Sequence, residues 1–120
     1  MLKSLLIHNP KCSKSLATKE LLESHSIQFD TVDYLKDGLK EKLLIHLPKL
    51  LNLKFQDFVR KNEEIYKQLD LKNRSLSDHE WINLLIENPI LLERPIFIHN
   101  DIAVIGRPPE RVLDIVSSKN

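Results

Sequence analysis

The sequence predicts an α/β domain: a strand–helix–strand unit first, a helical stretch in the middle, and a strand–strand–helix unit at the end. Three observations carry this. The apolar run 4–8 stops at the turn pair Asn9-Pro10 and gives way, from Ser13, to helical spacing. Residues 27–34 alternate apolar and polar side chains, and the runs 96–99 and 102–105 flank a two-residue turn, Asn100-Asp101. Between these segments, leucines recur at helical intervals.

Leu16, Leu21 and Leu22, set among Lys14, Lys19, Glu20 and Glu23, predict a helix from 13 to about 25. Together with the flanking strands this makes a βαβ unit, whose strands should be parallel and joined right-handedly. Leu39, Leu43, Leu44, Leu47, Leu50 and Leu51 form one apolar helix face, which Pro48 is expected to kink or restart. Short helices are expected over 55–60 and 62–69, with Phe55, Phe58, Tyr66 and Trp81 in the core. Lys61, Glu63, Glu64 and Lys67 form a solvated face. Ser77-Asp78-His79-Glu80 has capping-box spacing and should open a helix that runs to Asn88-Pro89. Gly106-Arg107-Pro108-Pro109 ends the hairpin, a last helix covers 110–116, and residues 117–120 should fray. The order βαβ–helical insert–ββα, with a mixed sheet, is that of a thioredoxin-like fold. One domain, 1–120, thus has a core of 1–38 and 93–116 and an insert of 39–92.

Composition narrows the chemistry. A chain of 120 residues and 14.0 kDa holds one domain. Its two glycines cannot build a phosphate-cradling loop. One cysteine excludes an intrachain disulfide, a CxxC pair and a cysteine-rich zinc site. With 18 basic and 17 acidic residues, the charge is too balanced for a chain that wraps nucleic acid. No apolar run approaches the roughly 20 residues of a membrane span, and residues 1–7 are too short for a signal peptide. A cytoplasmic enzyme or binding domain in a reducing environment is expected, a monomer without nucleic-acid or membrane partners.

The informative segment is His8-Asn9-Pro10-Lys11-Cys12-Ser13-Lys14-Ser15. It places Cys12 between the carboxyl end of a strand and the first turn of a helix, where α/β folds put ligands. Unpaired backbone N–H groups, the positive helix end, Lys11 and Lys14 all favour thiolate over thiol, and the Ser13 or Ser15 hydroxyl could donate to sulfur. The same donors would hold a small oxyanion for attack. The alternative is a buried, inert cysteine. His8 reads either as electrostatic support for the thiolate or as a strand-end histidine bonded to backbone. No second ligand lies at a metal-site spacing from it.

Only five of the 18 basic residues are arginine, so lysine supplies solubility and each arginine invites a specific role. A guanidinium fork grips a tetrahedral oxyanion in a way that lysine cannot. Arg94 immediately precedes a strand and Arg107 immediately follows the hairpin. The alternative for each is a surface salt bridge, Arg94 with Glu93 and Arg107 with Glu110. Arg60 could complement the dipole of a short helix that it ends. Arg74 and Arg111 read as solvated. Pro95 opens a strand after a turn, a location that can hold a cis peptide bond.

These segments, with Arg60-Lys61-Asn62-Glu63-Glu64, Tyr66-Lys67, Glu93-Arg94-Pro95-Ile96 and Gly106-Arg107-Pro108-Pro109-Glu110, resemble the ArsC arsenate reductase family, most of all its short YfgD-like members. The likeness runs from Leu5 to Val116. It implies a thioredoxin-like fold and a catalytic cysteine, matching Cys12, that attacks arsenate. It also implies a Cys–arsenate adduct held by three arginines, matching Arg60, Arg94 and Arg107. Glutathione then attacks the adduct, glutaredoxin removes the glutathione, and arsenite leaves; no bound cofactor or metal is needed. His8 and Ser15 match supporting positions, and the family's characteristically cis proline matches Pro95. Two positions depart from the pattern. Leu16 stands where the family has arginine, and Asn100-Asp101 where short relatives have Asn-Gly. Two other readings share the superfamily: a glutathione-dependent oxidoreductase of another small substrate, and an Spx-like regulator that docks on RNA polymerase. The regulator's CxxC switch is absent, because position 15 is serine.

Overall fold

The computed structural model describes residues 4–116. Strands β1 (Ser4–His8), β2 (Asp30–Asp33), β3 (Ile96–His99) and β4 (Ile102–Ile105) form one sheet in the order β2-β1-β3-β4. β2 is parallel to β1, while β3 is antiparallel to both β1 and β4. The mixed sheet and the βαβ and ββα connections are thioredoxin-like. The chain divides into two compact units, one formed by the residues up to Asp37 and from Arg94 onward, the other by Gly38–Glu93.

In the first unit, α1 (Ser13–Ser24) connects β1 to β2, and α6 (Val112–Val116) follows β4. Leu6 pairs with Phe97 and Phe97 with Val104, so these three side chains share one face of the sheet. Leu22 of α1 and Val112, Ile115 and Val116 of α6 cover that face in a single buried cluster. Each such side chain contributes about 1.5–3 kcal/mol on burial. β2 is shorter than the alternation at 27–34 predicts. Ser26 adopts φ 59° and turns the chain, so that the Ile27 N–H returns to the Leu22 carbonyl at 3.1 Å. Ile27 and Phe29 then pack on the cluster instead of pairing, Phe29 meeting Phe97 edge-on at 6.1 Å. Tyr34, fully buried, begins α2 (Tyr34–Asp37). In the hairpin turn Asn100, at φ 58°, takes the left-handed conformation and Asp101 does not. A 3-10 turn, Pro109–Arg111, opens the last helical segment; residues 117–120, where fraying was expected, lie outside the described residues.

In the second unit, α3 (Glu41–Leu51) runs unbroken through Pro48 and buries Leu44 and Leu47. Pro48 costs the helix one N–H bond and falls in its last turn, and Asn52 closes the helix at φ 57°. The helix expected over 55–60 is a 3-10 turn, Phe55–Phe58, after which the chain extends. Val59 bridges Leu92, and the Arg60 N–H reaches the Leu91 carbonyl at 2.7 Å. Arg60 therefore ends no helix. α4 (Glu64–Gln68) is shorter than 62–69, and Tyr66 is half-buried where core was expected. α5 (Asp78–Glu87) opens on the predicted capping box: Glu80 N–H donates to Ser77 Oγ at 3.2 Å, and Ser77 N–H to Glu80 Oε1 at 2.9 Å. Hydrogen bonding of the Glu80 carboxyl by the Ser77 backbone and then by the Ser77 side chain holds it below its ordinary pKa. Trp81, Phe55 and Phe58 are buried, the two phenylalanine rings 5.3 Å apart. Among the described residues, no helix is long and apolar enough to cross a membrane.

Candidate active site

Strand register brings most of the singled-out residues to one end of the sheet. Ile7 pairs with Ile96 and Ile96 with Ile105. The end of β1 therefore lies beside the start of β3, where Arg94-Pro95 enters, and β3 in turn lies beside the end of β4, where Gly106-Arg107 leaves. The loop after β1 carries Cys12, a free thiol, half-buried, at the N-cap of α1. Asn9 shapes this loop. Its carbonyl accepts the Cys12 N–H at 3.0 Å, and its Oδ1 accepts the Lys11 N–H at 3.0 Å, an Asx turn. No side chain caps α1, so the N–H groups of its first turn remain open to an anion beside the thiol. Lys11, Ser13, Lys14 and Leu16 are exposed around it.

Ser15 is fully buried, and its Oγ accepts the Asn9 N–H at 3.0 Å. A 2.7 Å hydrogen bond joins that Oγ to His8 Nδ1, with a direction set by the histidine tautomer. The Ser15 hydroxyl is thus committed to His8 and Asn9, not to the cysteine sulfur. A buried hydroxyl so close to a strand-end imidazole satisfies both groups at once. His8 is also buried, and its pKa falls below the usual 6.5, because burial disfavours the imidazolium and Lys19 repels it. Asp33, opposite His8 in β2, and Glu23 oppose that shift without cancelling it. The neutral imidazole is therefore the favoured form.

The arginines differ sharply. Arg94 Nε and Nη1 are buried and have no hydrogen-bond partner among the described residues. The expected surface pairing with Glu93 is absent there, as is one between Arg107 and Glu110. Arg107 instead donates from Nη1 to the Arg94 carbonyl at 3.3 Å. Arg60 belongs to the second unit, where its Nε donates to Glu63 Oε2 at 2.9 Å. That ion pair removes Glu63 from the solvated face on which the sequence placed it. The Arg94–Pro95 bond is cis, as the resemblance implied, and so is Arg107–Pro108, which nothing in the sequence singled out.

Three residues of this region escaped the sequence reading: Asn9, Thr18 and Gly106. Asn9 looked like a mere turn residue. Gly106 was visible as one of two glycines in the chain, next to Arg107. A Cβ at position 106 would lie 3.0 Å from both Thr18 Oγ1 and Pro95 Cγ, so only glycine fits there unstrained. Thr18 had a faint signal, a polar residue at i+3 from Ser15 and i−4 from Leu22, on the face that the helix buries. No group of three His, Cys, Asp or Glu side chains that could hold a metal occurs among the described residues. What remains is a nucleophile at an open helix start and, at the same end of the sheet, buried guanidinium donors without an acceptor. That combination suits attack on a small oxyanion.

Known proteins are similar to this chain in sequence and in fold. A sequence model of the ArsC family matches residues 7–115. The chain is 41% identical over 112 residues to YfgD of Escherichia coli K12, covering 92% of this chain and 94% of that one. It is likewise 41% identical over 113 residues to a Haemophilus influenzae protein named arsenate reductase, covering 93% and 97%. The solved arsenate reductase of Vibrio cholerae superposes with a TM-score of 0.88 at 40% identity, covering 95% of this chain and 98% of that one.

Proposed function

The chain belongs to the ArsC family, and from that premise we propose that it is an arsenate reductase working through Cys12. The Cys12 thiolate attacks arsenic, forming an S–As bond as one arsenate oxygen leaves as water. Glutathione supplies the second thiol. Reduction of arsenate to arsenite consumes two electrons, which come from the Cys12 and glutathione sulfurs as they join in a disulfide. Glutaredoxin then reduces that mixed disulfide and returns the Cys12 thiol. A chain with one cysteine suits this scheme, since the other thiols are borrowed.

The observation that carries this reading is Arg94, whose buried Nε and Nη1 have no partner among the described residues. A buried cation without a counter-charge is costly, and a bound oxyanion would supply the missing acceptors. Arg107, tied to the Arg94 backbone, provides a second fork. Arg60 enters as the third on the resemblance alone. His8, Ser15 and Pro95 support the loop and the strand entry. The regulator reading gains no comparable support, because Ser15 is bound to His8 and Asn9 and Cys12 has no disulfide partner.

Single-turnover mass spectrometry tests the proposal. Reduced protein mixed with arsenate should gain an adduct on Cys12 that disappears when glutathione and glutaredoxin follow, with release of arsenite. Cys12→Ser should show neither adduct nor turnover. Arsenite production surviving in Cys12→Ser would sink the reading.

A further inference from the structure

We propose that Thr18 is a positioning residue that fixes the two arginine-bearing strand ends against the cysteine helix. This rests on the reading of Arg94 and Arg107 as anion ligands. Thr18 lies on the second turn of α1, the helix whose N-cap is Cys12, and it is fully buried. Its Oγ1 donates to the Lys14 carbonyl at 2.9 Å, a common helical bond, and lies 3.4 Å from a second acceptor, the Gly106 carbonyl. One hydroxyl hydrogen is shared between the helix and the end of β4.

Gly106 carries that contact onward. Its N–H donates to the Pro95 carbonyl at 2.9 Å, and Arg107 next to it donates from Nη1 to the Arg94 carbonyl at 3.3 Å. Thr18, Gly106, Pro95, Arg94 and Arg107 thus form one connected set. The Thr18 side chain also occupies the space that a Cβ on residue 106 would need, its Cγ2 lying 3.2 Å from that point. The Thr18 side chain therefore rests directly on the Gly106 backbone, with no side chain on residue 106 between them to absorb a shift. A displacement of α1 relative to Gly106 moves Arg107 relative to Cys12. Misplacement on the order of 1 Å can cost about a hundredfold in rate.

Two substitutions separate hydroxyl from shape. Thr18→Val keeps the branched outline and removes the donor, whereas Thr18→Ser keeps the donor. Arsenate affinity measured by calorimetry without glutathione, and kcat/KM with glutathione and glutaredoxin, should each worsen at least tenfold in Thr18→Val. Thr18→Ser should stay within about threefold of wild type. Alkylation of Cys12 by neutral iodoacetamide should change less than twofold in both variants, because the thiol and its helix end are untouched. A structural defect alone would shift all three readouts together, Cys12 alkylation included. Wild-type affinity in Thr18→Val, or equal losses in the two variants, would overturn the proposal. Arsenate binding by the wild type without turnover would instead sink the reductase reading and leave the Thr18 comparison standing. No arsenate binding by the wild type would remove both.

Discussion

The loop at the end of β1 and the strand ends that carry Arg94 and Arg107 lie side by side, yet they treat their polar groups in opposite ways. In the loop, His8, Ser15 and Asn9 satisfy one another: Ser15 Oγ takes the Asn9 N–H and bonds His8, while the Asn9 side chain closes its own turn. At the arginines, two guanidinium nitrogens are buried with nothing to receive them among the described residues. The first arrangement is complete without a ligand and serves to hold a shape. The second becomes complete only when an acceptor arrives. A buried donor left unpaired costs on the order of 1–3 kcal/mol, more when charged, so such a site costs the free protein stability and returns it on binding.

The largest expected effect follows from the incomplete side. Arg94→Met keeps much of the volume and removes the charge. Catalytic efficiency toward arsenate should fall by about 10²–10³, as when one preorganised donor to an oxyanion is lost. Stability without an anion should stay the same or rise, because an uncompensated cation has gone. Arsenate should raise the wild-type melting temperature and leave that of Arg94→Met unchanged. If the variant instead melts several degrees lower without any anion, the guanidinium has a structural partner and the contrast between the two regions collapses.

The complete side should respond in the opposite sense. Ser15→Ala leaves the half-buried Asn9 N–H without its acceptor and buried His8 Nδ1 without its partner. Urea denaturation should show a loss of about 1–3 kcal/mol, the cost of unsatisfied buried groups. Arsenate should still stabilise this variant, since the arginines are intact. A variant as stable as wild type would mean that the Ser15 hydroxyl has no holding role.

What was legible in the sequence divides along physical lines. Period and turn chemistry gave β1, β3, β4, α1 and the Ser77 capping box, because each is decided by residues a few positions apart. β2 was read too long, since alternation marks side chains that alternate burial, and Ile27 and Phe29 achieve this by packing without pairing. Helix 55–60 failed for a non-local reason: Val59 forms an isolated bridge with Leu92 and the Arg60 N–H bonds the Leu91 carbonyl, both distant in sequence. The candidate residues were legible as types, a cysteine at a strand–helix switch and arginines at strand ends. Their bonding was not. Nothing in the order of residues says that Ser15 turns to His8, that Arg94 is left unpaired, or that Thr18 reaches Gly106, because each depends on distances set by the whole unit.

The smallest effect comes from His8, and its size follows from how well the loop is built. Burial, reinforced by Lys19, lowers the folded pKa below 6.5, so the unfolded chain binds a proton that the folded chain resists. The stability contributed by neutral His8 is fully present above pH 6.5 and is lost as pH falls through the folded pKa. One group contributes a slope of at most about 1.4 kcal/mol per pH unit. The hydrogen bond itself need not break, since an imidazolium Nδ1–H donates to Ser15 Oγ as readily as a neutral Nδ1 accepts from it. Only the burial of charge is resisted, and Asp33 and Glu23 soften even that. Urea midpoints between pH 5 and 8 should therefore fall slightly more steeply with acid in the wild type than in His8→Gln. Parallel profiles would show that His8 titrates as it does in the unfolded chain, and the loop would then have no preference for the neutral imidazole.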